Sequence, residues 1–442
     1  MLGVLFALVF VVVANNSAGS LAQPAIGVAF DAGPGDVGWV VFGFSVAFAV
    51  ATVVWGGLAR TLGLGPALAA GITLFAAASV VAPLAPSLPI LVAARVVQGL
   101  GAGAIPTLSA AIIARRYSGP DRSRALGTIV AAVGIGLAAG PLVGGAALEL
   151  FGWQGPVALG ILAAPAAIAF AREDRERDRS VALDVLGAVL IAITVIALTF
   201  SLNRLPILGL VPVTAGALVV AFVGAGLVAA RSRHPAAFLP RRIVGDPAFL
   251  RIVVLGMIGM SAFLGSLILV PVAASAAHGL TGIALGSVLL PMALVGAIAS
   301  FNNAAVQARI GRRRTTTLSL ASLVLATTAL AIVGAEIPPA VMSVILMPLG
   351  IGFGLLGPPL LNELTVVFDG ADRGVAVGAY NLAFFMGGAI GGALATAIVQ
   401  VAFELAPLAG RAVPGFSTAE VLLAIGPMVA VVVLSLRPAA RT

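Results

Sequence analysis

The sequence predicts an all-α protein that crosses a membrane about fourteen times. Hydrophobic residues make up 61% of the chain and charged residues only 9%, whereas a soluble domain carries about a quarter charged residues. The mean hydropathy is +1.17. Apolar stretches recur along all 442 residues, and each is long enough, at about 1.5 Å per residue, to cross roughly 30 Å of hydrocarbon. A soluble protein is therefore excluded.

Fourteen apolar segments can be delimited, each about 18 residues or longer. They are 2–30, 39–59, 64–84, 88–113, 125–148, 154–171, 185–203, 205–230, 248–274, 282–306, 315–335, 337–361, 375–403 and 418–436. Only a few residues around Asn203 and Pro206 separate the seventh segment from the eighth. A chain with twelve spans would follow if that central pair did not cross.

The positions of the basic residues test this count, because all 24 of them are arginine. If the N-terminus is cytoplasmic, 21 arginines fall in cytoplasmic loops or in the C-terminal tail. Only Arg204 and Arg411 fall in loops on the other side, and Arg95 lies within a span. This asymmetry follows the positive-inside rule. It predicts that both termini are cytoplasmic and that the number of spans is even.

The chain divides into three blocks. Residues 1–171 hold six spans, residues 172–246 hold two charged linkers and the central helix pair, and residues 247–442 hold six more spans. The two halves share a short repeat, since Arg60–Gly63 and Arg309–Arg312 each follow the second span of a half. Two six-helix bundles related by a repeat are typical of secondary transporters, which bind their substrates between the halves.

Several classes of function are not expected from this sequence. The arginines lie in short loops rather than on one polar face, so nucleic acid is not an expected partner. The chain has no cysteine, which excludes thiolate chemistry and cysteine-based metal sites. Its two histidines, His234 and His278, are far apart. No paired carboxylates, nucleophile–base set or P-loop is visible. We therefore expect no enzyme, no cofactor and no metal.

Arg95 is the most informative residue, because it lies several residues inside the fourth span. A charge there costs at least about 2.5–3.5 kcal/mol unless it faces the protein interior. Gln98 lies one turn further on the same face. One interpretation is that Arg95 locks helices together by binding backbone carbonyls of the first span. The other is a role in substrate binding or proton coupling, and the two roles are compatible.

The fifth span carries a stripe of small residues, Gly136, Gly140 and Gly144, at four-residue spacing. Such a stripe lets another helix approach closely. Pro141 removes an intrahelical hydrogen bond and is expected to kink the span. Taken alone, this pattern indicates tight packing in a membrane protein of any function.

Together, these segments resemble the major-facilitator drug antiporters. The resemblance is carried by RVVQGLGAG from Arg95, ARRYSGPDRSRALG from Ala114 and GIGLAAGPLVGG from Gly134. Softer matches continue to Gly392, so the resemblance covers nearly the whole chain. It is closest to the fourteen-span branch that includes multidrug and tetracycline exporters of Gram-positive bacteria.

The resemblance implies a major-facilitator fold of two six-helix bundles plus an extra central pair of helices. It implies a monomeric exporter in the bacterial inner membrane, which is driven by protons and whose two halves rock. In that family the glycine–proline span is the antiporter motif, and the loops after the second span of each half gate the cytoplasmic face. The gating residues that correspond here are Gly56, Arg60, Gly63, Arg309, Gly311 and Arg312.

The sequence departs from this family at three acidic positions. Arg60 replaces the acid of the loop signature, Asn15 and Asn16 stand where the tetracycline branch has an acid, and Gly388 stands where it has another. Acids inside the membrane are the usual proton carriers, and nearly all of the sixteen acids here, Glu420 among them, fall in loops or at span ends. If the chain is proton-driven, Glu363 and Asp36 are the predicted carriers.

The remaining polar residues inside spans are candidates for lining a central cavity: Asn15, Asn16, Gln23, Gln98, Asn362, Glu363 and Asn381. Each asparagine either binds a ligand or forms a hydrogen bond between helices. Phe384 and Phe385 either pack in the core or against lipid, or form an aromatic wall. Such a cavity, with few acids, suits neutral or zwitterionic molecules better than dications.

Three functions follow from these observations. The first is export of small amphipathic compounds, with membrane lipids and protons as further partners. The second is translocation of a lipid or lipid conjugate, which a dry, glycine-rich cavity open to acyl chains would favour. The third is a membrane sensor or assembly partner that has lost transport, which the missing acids permit.

Overall fold

The computed structural model describes residues 1–32, 34–171, 184–234, 237, 239–280, 282–368, 370–405 and 415–436. Over these residues the chain is helical and contains no strand. The arginines of the first charged linker, at 172–179, lie outside the described residues, as do Arg411, Arg437 and Arg441.

The α-helices are numbered here in chain order. In the first half they are α1 (Leu2–Leu21), α2 (Gln23–Phe30), α3 (Pro34–Leu62), α4 (Leu64–Val81), α5 (Leu88–Ala102), α6 (Ala104–Arg116), α7 (Gly119–Phe151), α8 (Gln154–Ala158) and α9 (Ala164–Ala171). The central region has α10 (Val185–Leu208), α11 (Pro212–Arg231) and the short α12 (Arg241–Val244). The second half has α13 (Pro247–His278), α14 (Gly282–Phe301), α15 (Asn303–Ile310), α16 (Arg312–Val333), α17 (Pro339–Val367), α18 (Gly370–Leu405) and α19 (Phe416–Leu436).

The number of possible membrane spans is close to the prediction. Among the described residues, 11 helices are long and apolar enough to cross a membrane, or 13 if each of two bent pairs is one span. Helix α10 is not among them, because its run of described apolar residues covers only Val189–Leu198. Its 24 residues nevertheless extend about 36 Å. The predicted fourteen is therefore approximate.

The helices bend where the sequence interrupts the hydrogen-bond ladder. Helix α7 bends by 50° between its parts Gly119–Leu137 and Leu142–Phe151, and Pro141 lies between them. This bend is the expected effect of a proline inside a helix. The first predicted segment, 2–30, is broken at Ala22 into α1 and α2.

The predicted boundary inside the central pair was wrong. Residues 203–206 do not form the connection, because α10 continues through them to Leu208. The helix ends at Leu208, and the φ of +68° at the next residue, Gly209, is a left-handed conformation that favours glycine and commonly terminates helices. A polar pair near a span end does not break a helix, and the sequence prediction gave Asn203 and Arg204 too much weight.

The two halves pack their helices in the same way. In the first half α1 packs against α7, α3 against α5, and α4 against α5 and α9. In the second half the corresponding pairs are α13 with α18, α14 with α17, and α16 with α17 and α19. The structure therefore contains a repeat that is only faint in the sequence. The boundaries at residues 171 and 247 stay a prediction, since residues 172–183 lie outside the described part.

Small residues bring the first and fifth spans of each half together. On α7, a Cβ added at Gly140 would lie 2.5 Å from Ser17 Cβ, and one added at Gly144 would lie 2.6 Å from Ala18 Cβ. On α18, a Cβ at Gly391 would overlap the backbone oxygen of Ser261 on α13. No side chain fits at these contacts, so the stripe is a packing surface in both halves.

The central pair packs beside the junction of the two halves. Helix α10 contacts α11, and it also contacts α3 of the first half and α18 of the second. The contact is apolar, with Ile191 and Val195 buried against Ala49, Val50 and Met386. At one end of the pair, Arg231 Nη2 lies 2.9 Å from Asp184 Oδ1.

Candidate functional site

Arg95 lies on α5 and is fully buried. Its Nη1 donates to Asn15 Oδ1 at 2.9 Å and to Gln98 Oε1 at 2.8 Å, and its Nε donates to the Val40 carbonyl at 3.2 Å. The guanidinium carbon lies 4.4 Å from the centre of the Phe44 ring. A buried cation is tolerated when acceptors and an aromatic face replace its water. A bond from Arg95 to a backbone carbonyl was expected, but this carbonyl belongs to α3 and not to the first span, and the contact with the first span is made through Asn15 instead.

The acceptors of Arg95 are themselves held by a second layer of hydrogen bonds. Gln98 Nε2 donates to Ser79 Oγ at 2.7 Å and to the Val157 carbonyl at 2.9 Å. Asn15 Nδ2 donates to the carbonyls of Pro156 and Val157. These carbonyls are available because α8 ends at Ala158 and gives way to a short 3-10 helix. The network thus connects α1, α3, α4, α5 and α8.

One part of the guanidinium is not paired by protein. Nη2 of Arg95 is buried and has no hydrogen-bond partner. A Cβ added at Gly19 would lie 3.0 Å from Nη2. Because residue 19 is glycine, no side chain from this position covers Nη2. This arrangement is compatible with both interpretations of Arg95: three of its five N–H donors lock helices, and the two on Nη2 have no protein acceptor.

A row of aromatic rings runs from Arg95 across the junction between the halves. Phe44 stacks on Phe48 of the same helix, and Phe48 contacts Phe385 of α18 edge to face, with ring centres 4.9 Å apart. Phe385 then contacts Phe384, which stacks on Tyr380. Edge-to-face and offset contacts of this kind are favourable beyond the area they bury. We call these five residues the aromatic row.

The far end of the aromatic row carries another unpaired polar atom. Tyr380 is 1% exposed, and its hydroxyl has no hydrogen-bond partner. The neighbouring residue Asn381 donates from Nδ2 to Thr107 Oγ1 on α6, at 3.2 Å. This bond also crosses between the halves. Phe384 and Phe385 pack against other rings of the core, which was one of the two expectations for them. Phe44, Phe48 and Tyr380 were not predicted.

The other predicted cavity residues lie in different places. Asn16 on α1 is half-buried with an unpaired Oδ1, and Gln23 is half-buried on α2. Asn362 and Glu363 lie near the end of α17, where Glu363 forms ion pairs with Arg251 and Arg312. The structure does not bring Gln23, Asn362 or Glu363 into contact with the Arg95 network.

The two predicted gating loops have matching backbones. Gly63 precedes α4 with φ 89° and ψ 154°, and Gly311 precedes α16 with φ 81° and ψ 157°. Both values of φ favour glycine. Arg309 and Arg312 are exposed beside the second loop, whereas the side chains of Arg60, Asp36 and Pro141 lie outside the described residues.

The halves are in contact at the end that carries these loops, which we call the arginine-rich end. Arg122 Nη1 donates to Thr365 Oγ1, and Gln307 Nε2 donates to Ser123 Oγ, each at 3.3 Å. A Cβ added at Gly56 would lie 2.8 Å from the oxygen of Gly374. The structure is therefore closed at the arginine-rich end.

One buried acid was missed at the sequence level. Glu420 was placed among the acids at span ends, but in the structure it is fully buried within α19. Its position inside an apolar segment was the available signal. Among the described residues, no group of three or more His, Cys, Asp or Glu could hold a metal ion.

The fold and the site define a class, that of polytopic membrane transporters with two similar bundles and a buried polar and aromatic junction. The sequence profile of the Major Facilitator Superfamily matches residues 4–392. The chain belongs to this superfamily, and its class is that of a transporter and not of an enzyme.

Solved structures show the same fold. The human organic anion transporter MFSD10 (TETRAN) aligns over 97% of this chain and 99% of its own, with a TM-score of 0.68 and 17% identity. At that identity the likeness concerns the fold alone.

Relatives with similar sequences include bacterial resistance and efflux proteins. The methylenomycin A resistance protein of Streptomyces coelicolor is 29% identical, with 80% of this chain and 75% of that protein aligned. The drug efflux pump JefA of Mycobacterium tuberculosis is 27% identical, with 88% and 78% aligned. An uncharacterised transporter of that bacterium is 29% identical over 80% of this chain, which spans only 53% of its length.

Proposed function

We propose that this protein exports small amphipathic compounds across the inner membrane of a bacterium, taking them from the cytoplasm or from the inner leaflet. The observation that carries the proposal is the aromatic row, because it joins the buried cation of one half to an unpaired hydroxyl of the other. A flat molecule between the halves would meet ring faces along its length and a polar atom at each end. The relatives named for antibiotic resistance and drug efflux support this proposal.

The same geometry indicates the charge of the substrate. In the described residues, no acidic side chain touches the Arg95 network or the aromatic row. A dication would therefore meet Arg95 without a counter-charge, whereas a neutral or zwitterionic molecule could offer an acceptor to Nη2. Proton coupling follows from the family resemblance and belongs to the proposal as its energy source.

The test is a panel of antibiotics and dyes in an efflux-deficient bacterial host that expresses the protein, with and without an uncoupler. Resistance and low accumulation of at least one aromatic, uncharged compound are expected, and the uncoupler should abolish both. If the protein is present in the host membrane and protects the host against no compound of the panel, export is contradicted.

Substitutions in the aromatic row connect the function to the site. Phe48→Ala and Phe385→Ala each remove the ring contact between the halves. Loss of about 1.4 kcal/mol of stacking between a ring and the substrate corresponds to about tenfold weaker substrate binding. We therefore expect about a tenfold higher half-saturating concentration in a dose-dependent efflux assay. The control is Phe222→Ala on α11, whose side chain is 75% exposed. Equal effects of all three would mean that the row is not the binding site.

Lipid translocation is the second candidate, and one surface feature favours it. A groove of about 380 Å³ between α1 and α9 has an apolar lining that includes Val4, Val11, Leu162 and Pro165. Its size and lining fit an acyl chain. Export of a fluorescent phospholipid from the inner to the outer leaflet of reconstituted vesicles, without any protection in the antibiotic panel, would favour this candidate.

A further inference from the structure

The buried carboxyl of Glu420 is not used by the site described above. It lies one turn inside α19 and is fully buried. Ser266 Oγ, on α13, donates a hydrogen bond of 2.6 Å to Glu420 Oε2. The other carboxyl oxygen, Oε1, is buried without any hydrogen-bond partner.

No cation faces this carboxyl from the described parts of the helices around it. On α13, Arg251 and His278 lie about 22 Å and 18 Å along the helix from Ser266, at 1.5 Å per residue. On α16, the arginines are at the opposite end, since Arg313 donates to the Leu434 carbonyl at the far end of α19.

The described part of α18, the third helix packed against α19, also places no cation at the Glu420 carboxyl. Its ionisable residues with described side chains are Asp372, Arg373 and Tyr380. The first two lie at the arginine-rich end, and Tyr380 contacts Gly256, which is about 15 Å before Ser266 along α13. The side chain of Glu404 lies outside the described residues.

An ionised carboxylate with one hydroxyl donor and no cation is strongly disfavoured in such a place. A neutral carboxyl avoids that penalty. The serine hydroxyl can bind either the neutral or the ionised carboxyl, because a hydroxyl both donates and accepts hydrogen bonds. We propose that Glu420 is a proton-binding site, which holds one proton while the arginine-rich end is closed. Glu363 is unlike it, because two arginines neutralise that carboxylate.

The location of the site lets the conformation control the proton. Ser266 belongs to α13, which packs against α17 and α18 as well as α19. Movement of α13 against α19 would separate Ser266 from the carboxyl, and the start of α19 is only about 6 Å away, so water can then reach it. The wetted acid can then ionise and release its proton to water, and the carboxylate must take up one proton from water before the site closes again. Coupling to a gradient requires that release and uptake occur on opposite sides of the membrane.

Infrared spectroscopy of the purified protein tests proton binding without any assumption about transport. The wild type and Glu149→Gln, which changes an exposed acid at the end of α7, should show the C=O band of a neutral carboxyl at neutral pH. Glu420→Gln should lack that band. If the spectra of the wild type and of Glu420→Gln showed the same neutral carboxyl bands, the proposal would be overturned.

Ser266→Ala keeps the test valid if Glu420→Gln does not fold. It removes the hydrogen bond and leaves the acid in place. The neutral carboxyl band should persist and move to a higher frequency, because the acid loses a partner. A band that stays at the wild-type frequency would show that it does not arise from Glu420.

A second measurement asks whether this proton drives transport, and this part rests on the proposed export function. In vesicles with an imposed pH gradient, substrate export by Glu420→Gln should lose its stimulation by the gradient, with downhill movement retained. Glu149→Gln should keep the stimulation. Full stimulation in Glu420→Gln would refute the coupling role. If the wild-type protein shows the band but exports no compound of the panel, export is refuted and the proton-binding site is not.

Discussion

At the scale of single residues, Arg95 shows how the first half accommodates a charge inside the membrane. The guanidinium is planar and has five donors in a fixed arrangement, and the structure places acceptors from three helices around it. The amide oxygens of Asn15 and Gln98 would be buried without a donor if the arginine were absent. The charge and its surroundings therefore depend on one another, and substitution of Arg95 affects more than the charge.

We predict that Arg95→Ala abolishes export and lowers the unfolding temperature in detergent. It leaves the oxygens of Asn15 and Gln98 without a donor, and each buried unpaired group costs roughly 1–3 kcal/mol. Arg95→Lys should retain little export, because an ammonium group does not reproduce the planar set of donors. The control is Arg233→Ala, which removes an exposed arginine. Wild-type export by Arg95→Lys would show that only the charge matters.

At the scale of helices, the small-residue stripes set how closely the first and fifth spans approach. The contact of α1 with α7 leaves no room for a side chain at Gly136, Gly140 or Gly144. The corresponding contact of α13 with α18 has glycines as well. If the halves rock during transport, as the family resemblance implies, such pairs would have to move as units, and the close approach at the stripes would favour that.

We predict that Gly140→Leu abolishes export while the protein is still made. The added side chain would push α1 away from α7, and overpacking of this kind typically costs about 1–3 kcal/mol. Gly145→Leu is a matched control on the same helix, because a Cβ there meets nothing within 4 Å. Both efflux and the unfolding temperature should be lower for Gly140→Leu than for Gly145→Leu. Normal efflux by Gly140→Leu would mean that this contact is not needed.

At the scale of the whole molecule, the arginines and the contacts between halves indicate an orientation. The hydrogen bonds of Arg122 and Gln307 close the arginine-rich end, and the positive-inside rule predicts that this end faces the cytoplasm. The structure would then represent a state closed toward the cytoplasm, in which a compound on that side has no path to the aromatic row.

We predict that Ser118→Cys, introduced into this chain without cysteine, is not labelled by an impermeant reagent in intact cells. Ser118 is exposed between α6 and α7 at the arginine-rich end, so it should react only after the cells are opened. Pro86→Cys, exposed between α4 and α5, should react in intact cells. The opposite pattern would invert the assigned topology.

The sequence was sufficient for the spans, the bend at Pro141, the small-residue stripe and the need for Arg95 to face the protein interior. Hydropathy and proline or glycine positions report these features directly. It was not sufficient to predict the aromatic row or the burial of Glu420. These spans are apolar on every face, so their pattern does not tell which face meets lipid and which meets protein. Phe48 and Phe385 are far apart in the chain, and only the packing of α3 against α18 brings them together.

The position of α10 makes the two sides of the molecule unequal. On one side, its apolar face covers the line where α3 meets α18. On the other side, where α7 meets α14, Leu294 and Ile298 of α14 are 53% and 61% exposed, and within the described part of the chain no helix covers them. A compound already dissolved in the bilayer would have to displace a pair of helices to approach from the first side, but only lipid tails to approach from the second. If the protein exports compounds from the bilayer, as proposed, the two sides would therefore not be equivalent routes of entry.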